Sequence, residues 1–225
     1  MTLQSFDALP EEALKEILAL TEAKKRLDLQ EQAQNKFMPF AHHVYENFIE
    51  GRHHRVIAEK LEAVARGELK RLIINMPPRH SKSEFASYLM PAWFLGRNPK
   101  LKIIQATHNT ELAVRFGRKV RDLIDDPAYR EIFPETNLKE DNKGAGKWGT
   151  DKGGEYFAAG VGAAVTGRGA DLFVIDDPHS EQDAMSDTAF DHAYEWYTSG
   201  PRQRLQPGGA IIIVMTRWGK KDLTG

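Results

Sequence analysis

Arg71-Leu-Ile-Ile-Asn-Met-Pro-Pro-Arg-His-Ser-Lys-Ser83 is an apolar strand that runs into a short loop and ends on a lysine and a hydroxyl, where an amphipathic helix begins. A helix start carries unpaired backbone N–H groups and a partial positive charge, so a phosphate placed there is held by backbone, ammonium and hydroxyl together. In that reading Lys82 reaches the β- and γ-phosphates of a nucleoside triphosphate and Ser83 ligates Mg²⁺. The usual phosphate loop is G-x-x-x-x-G-K-[ST], and here Met76 and Ser81 stand at both glycine positions. Pro77 and Pro78 have no N–H, so the cradle falls to the amides of His80, Ser81, Lys82, Ser83 and Glu84. Alone, the stretch reads equally well as a strand-to-helix turn with a surface lysine.

A second stretch breaks the tie. Asp171-Leu-Phe-Val-Ile-Asp-Asp177 is an apolar strand that delivers two adjacent carboxylates to its end. Ligands of open parallel sheets bind at the carboxyl ends of strands. Asp176 is then placed for Mg²⁺, and Asp177, on the other side of the pleat, for the attacking water. The runs Leu72 to Met76, Leu101 to Ala106, Asp171 to Ile175 and Ala210 to Met215 read as strands buried on both faces. Helical segments lie between them at Ser83 to Leu95, kinked by Pro91, at Thr110 to Ile124 and at Thr188 to Tyr197. The alternation predicts a mainly parallel α/β sheet with helices on both faces. The strand Leu101 to Ala106 is expected between the phosphate loop and the acidic strand. Residues 135–154 read as a surface loop or hairpin. A helix starts at Pro10, with Leu14, Ile17 and Leu18 on one face, and another spans Val56 to Arg66, stopped by Gly67.

The 225 residues carry a formal net charge of −1, 41% hydrophobic and 28% charged side chains, which suits one substantial soluble α/β domain with an appendage. The absence of cysteine excludes disulfides, thiol catalysis and cysteine metal sites. No apolar run is long enough to span a bilayer and no secretory core opens the chain, so a cytoplasmic location is the default.

PPRHSKSE at 77–84, TGRGAD at 166–171, VIDDP at 174–178 and TRW at 216–218 with the following DLTG resemble, in order and spacing, a phage or prophage terminase large subunit over roughly residues 35–225. The resemblance implies a P-loop ATPase of the ASCE type, acting in the host cytoplasm as a Mg²⁺-dependent motor that drives double-stranded DNA into a procapsid without sequence preference. It implies a homo-oligomeric ring on a portal protein, a small-subunit partner, and no membrane. It places Walker A on Pro77 to Ser83, with Pro78 and Arg79 in the loop and Arg79 neutralising γ-phosphate charge. Walker B falls on Asp176 and Asp177, where many members have Glu at the second position, and the coupling motif on Thr216, Arg217 and Trp218. Arg168, between two glycines, is the candidate arginine finger for a neighbouring subunit, or else pairs with a local carboxylate. Gln34, Phe40 and His43 lie where the family binds adenine. Residues 1–34 form a helical arm ahead of the 35–225 ATPase domain. The family's RNase H-like nuclease domain has no counterpart in this chain, so no DNA cleavage is expected of it.

Three other readings compete. The chain could be a helicase- or RecA-like NTPase, or a nucleotide-binding adaptor that does not turn over. A metallohydrolase would use Asp176, Asp177, His179 and the pairs His42, His43 and His53, His54. For DNA, Arg115, Arg118, Lys119 and Arg121 line one helix, with Lys220 and Lys221 elsewhere; a solvated face explains the first group as well.

Overall fold

The computed structural model describes residues 10–165 and 167–225; Thr166 of the TGRG turn and the start of the arm, residues 1–9, lie outside them. Seven strands form one sheet: β1 (Arg71–Asn75), β2 (Lys102–Thr107), β3 (Leu138–Lys143), β4 (Lys147–Thr150), β5 (Glu155–Gly160), β6 (Ala170–Asp176) and β7 (Leu205–Met215). Their order is β1-β7-β6-β2-β5-β4-β3. The first five in that order are parallel, and β4 and β3 close the far edge antiparallel. The expected position of the Leu101–Ala106 strand is therefore corrected. It follows the phosphate loop in the chain, but in the sheet β7 lies between β1 and β6, and β2 lies beyond β6. Strand order is a long-range packing outcome that local sequence does not encode.

Register explains the two-sided core. Leu172 and Val174 of β6, with Ile212 and Val214 of β7, face helices α2 (Phe37–Val44), α3 (Arg52–Ala65), α4 (Met90–Arg97) and α5 (Thr110–Ile124). Phe173 and Ile175 face the opposite way, with Ile211 and Ile213, onto α7 (Asp187–Ser199). An aromatic nucleus of Phe37, Phe85 and Trp93, with ring centroids 5.3 and 5.4 Å apart, ties α2 to the helix that follows the phosphate loop. β1 departs from the expected burial: as the edge strand it leaves Ile73 exposed.

The arm is one long helix, α1 (Glu11–Asn35), starting just after Pro10. Leu18, Leu20 and Leu27 are exposed along it, and its last turns dock through Ala33, whose carbonyl accepts the Trp93 indole N–H. Gly67 ends α3 in the left-handed region, φ +77°, as its place after the helix requires. The 135–154 stretch is the hairpin β3–β4. No helix among the described residues is long and apolar enough to cross a membrane.

The helix expected at Ser83 to Leu95 is not uniform. Glu84–Leu89 is a π-helical turn, after which α4 carries Pro91 in its first turn. Proline has no N–H and its ring clashes with the carbonyl four residues back, here Ser87, so the turn widens and the Met90 amide reaches Phe85 instead.

Candidate functional site

The carboxyl ends of β1, β6 and β7 meet at one edge of the sheet, and the sequence-predicted groups meet there with them. Lys82, only 6% exposed, places Nζ 3.0 Å from Asp177 Oδ2. Ser83 Oγ donates to Asp176 Oδ1 at 2.9 Å. The Thr216 amide donates to Asp177 Oδ1 at 2.8 Å, and its hydroxyl to the Met76 carbonyl at 3.4 Å. One residue just past β7 thus joins the second acid to the entrance of the 76–83 loop.

The loop adopts a glycine-like backbone without glycine. Arg79 and Ser81 lie in the left-handed region at φ 63° and 58°, and Ser81 holds the position of the second motif glycine. Such conformations cost non-glycine residues on the order of 1–3 kcal/mol each and collect at ligand sites. Among the described residues, nothing accepts a hydrogen bond from the backbone amides of His80, Ser81, Lys82, Ser83 or Glu84. Alternating backbone handedness with unpaired amides makes an anion-binding concavity. Asp177 is also left-handed, at φ 41°, and its carbonyl accepts from the His108 amide at 3.2 Å.

Asp176 is 2% exposed, and burial pushes its pKa up to about 7. The Ser87 hydroxyl pulls it down, the charge of Asp177 adds to the rise, and Ser83 and Lys82 oppose it. Ser87 is close enough to favour the ionised form yet makes no hydrogen bond of ordinary geometry, so Ser87 Oγ and Asp176 Oδ2 are both buried and unpaired. Asp176 and Ser83 thus present hard oxygen donors beside an unpaired carboxylate oxygen, a donor set that fits Mg²⁺.

Other expected residues are placed elsewhere. Phe40 is fully buried against Phe37, Tyr129 and Phe133, with no face open to a base. Gln34 Nε2 donates to the Ile132 carbonyl, and its own carbonyl accepts from Arg97, at the far end of the helix that starts at Lys82. At about 1.5 Å per residue that end is roughly 20 Å from the phosphate loop. His43 turns to Glu131 at 3.2 Å. These three do not form a base site, because their segment closes the core. The rings beside the phosphate loop belong instead to His53, 5.9 Å from His80, and to His54, stacked on Phe85.

Arg168 sits before β6, at the sheet edge opposite Lys82, over the Phe157 ring at 4.0 Å and 3.9 Å from Glu155. Of the two readings it had, the local carboxylate is the one seen within this chain. Arg79 is exposed on the loop, and Glu84 is held by Lys119 at 2.8 Å. Arg217 and Trp218 fold around Asp222, which sequence reasoning quoted only as part of DLTG. It accepts from Arg217 Nε at 2.9 Å and from the amides of Trp218 and Gly219 at 2.8 and 3.1 Å. Burial pushes this carboxyl up, but the Gly219 and Trp218 amides and Arg217 more than offset it, to about 2.

The histidines of the metallohydrolase reading are dispersed: His42 bonds Glu50 at 2.6 Å, and His179 Nε2 accepts the Leu223 amide at 3.0 Å. The basic group is partly neutralised, with Lys119 on Glu84, Arg121 on Asp122 and Lys221 on Asp187.

No family model matches the chain, and no curated protein matches it. Among solved structures it is similar to the HK97 bacteriophage large terminase, with 14% sequence identity and a TM-score of 0.42 over 75% of this chain. The chain spans only 33% of that protein's length. A likeness of this size adds nothing to what the Lys82–Asp177 cluster itself supports.

Proposed function

We propose that the chain is a Mg²⁺-dependent ATPase of the ASCE P-loop class and the motor part of a terminase large subunit. The observation that carries the proposal is the convergence of Lys82, Ser83, Asp176 and Asp177 beside five amides with no acceptor among the described residues. The position of β7 between β1 and β6 agrees with that class.

In this reading the triphosphate lies across the start of the Lys82 helix, with the amides of His80 to Glu84 and the exposed Arg79 on its oxygens. Lys82 leaves Asp177 for the β- and γ-phosphates, because a phosphate oxygen offers the buried ammonium a stronger partner. Asp177 Oδ2 is then free to accept a proton from the attacking water or to orient it. Asp176 and Ser83 would hold Mg²⁺, which when bound neutralises charge on the phosphate oxygens. Thr216, bonded to Asp177 and to Met76, connects hydrolysis to the backbone of β7. Double-stranded DNA as the load, and a ring of copies on a portal with a small subunit, rest on the motif set PPRHSKSE, TGRGAD, VIDDP and TRW alone.

Lys82→Ala abolishes ATP hydrolysis and weakens nucleotide binding in the purified chain, whereas Asp177→Asn binds nucleotide and does not turn it over. Unchanged hydrolysis by Lys82→Ala would end the assignment.

A further inference from the structure

The helical turn that follows the 76–83 loop brings two serines against one acid. Ser83 and Ser87 are four residues apart, the spacing that sets two side chains one above the other on a single helix face. Ser83 Oγ occupies Asp176 Oδ1 at 2.9 Å. Ser87, fully buried one turn further in, carries a hydroxyl with no hydrogen-bond partner, and Asp176 Oδ2 is the other buried oxygen here without one. Two unpaired buried polar atoms in neighbouring groups are costly, and a small rotation of either side chain satisfies both.

We infer that Ser87 is the positioning residue of Asp176: its hydroxyl donates to Oδ2 and fixes the carboxylate plane, so that Oδ1 and Ser83 Oγ together face a divalent cation. The inference rests on the nucleotide reading above. Ser87 touches neither nucleotide nor cation; it acts through the carboxylate, as outer partners of metal ligands do.

The test is direct binding of Mn²⁺, read by the electron spin resonance of the free ion, to the purified chain with a non-hydrolysable ATP analogue. Ser87→Ala lowers Mn²⁺ affinity about tenfold, within the usual range for loss of an outer partner. The midpoint of thermal unfolding stays near that of the unaltered chain, and Ser87→Thr, which keeps the hydroxyl, recovers most of the affinity. In hydrolysis assays the loss appears as a raised cation requirement, and rates at saturating Mg²⁺ recover. Unaltered Mn²⁺ affinity in Ser87→Ala overturns the inference while leaving the ATPase reading in place. Failure of the unaltered chain to bind Mn²⁺ with the analogue overturns both.

Discussion

Ser81 concentrates the conformational question at a single residue. It adopts a left-handed backbone where the common motif has glycine, so its side chain opposes the geometry that the amides need. Ser81→Gly should keep nucleotide affinity and stability within about 1 kcal/mol, since relieved strain offsets the added freedom of the unfolded chain. Ser81→Val should lose both, because a β-branched side chain resists this region. A fluorescent-nucleotide titration paired with thermal unfolding decides it, and equal behaviour of the two variants refutes the argument. Asp176 raises a question of charge. Its folded pKa, about 7, lies above its ordinary 3.8. Across that interval the folded chain keeps a proton that the unfolded chain has released, so stability falls as pH rises and levels off above the upper value. Asp176→Asn removes that dependence. Urea midpoints without divalent cation should favour the variant more at pH 8 than at pH 5, and a constant difference would contradict the assignment.

At the scale of elements, the turn after β7 hangs on one carboxylate. Asp222 accepts from the amides of Trp218, Gly219 and Thr224 and from Arg217, and the first two amides with Arg217 hold its pKa down at about 2. Their stabilisation is present above the unfolded value of 3.8 and is lost as pH falls toward 2. Asp222→Asn should cost roughly 2 kcal/mol near neutrality, the order expected for hydrogen bonds to a charged group. The deficit should shrink below pH 4 in a denaturant series, and a deficit that does not change with pH would mean that charge plays no part. The elements also show what a sequence can carry. Lys82 with Ser83, and Asp176 with Asp177, were legible because each pair ends a strand within a few residues, and parallel strands end at the same edge. β5 escaped notice because Glu155–Gly160 is rich in small residues and has none of the branched side chains that mark β2 and β7. Ser87 was hidden because its nearness to Asp176 comes from the packing of a helix on a distant strand, and Asp222 because its partners come from a backbone fold that no local pattern describes.

On the scale of the whole molecule, Lys82 and Arg168 lie at opposite edges of one sheet. Among the described residues of a single copy, Arg168 pairs with Glu155 and lies over Phe157. If it acts as a finger, it must enter the cleft of a neighbour, so Arg168→Ala should lower ATPase turnover in assembled particles by about 10³-fold or more and leave the dilute chain unaffected. Equal losses in both preparations would assign Arg168 to local packing. Packing at this same scale bears on the adenine expectation: Phe40 carries the ring that a base would want, but its segment seals the nucleus between α2 and Tyr129. Which aromatic residues face a ligand is decided by how helices pack, and spacing along the chain does not report it.

If the chain is the ATPase proposed above, the contact between Lys82 and Asp177 works as an interlock. While it is closed, the Lys82 ammonium and one Asp177 oxygen are occupied by each other. On that proposal only a guest that binds the ammonium more strongly than the carboxylate does can open it, and seating that guest frees the acid that prepares the attacking water.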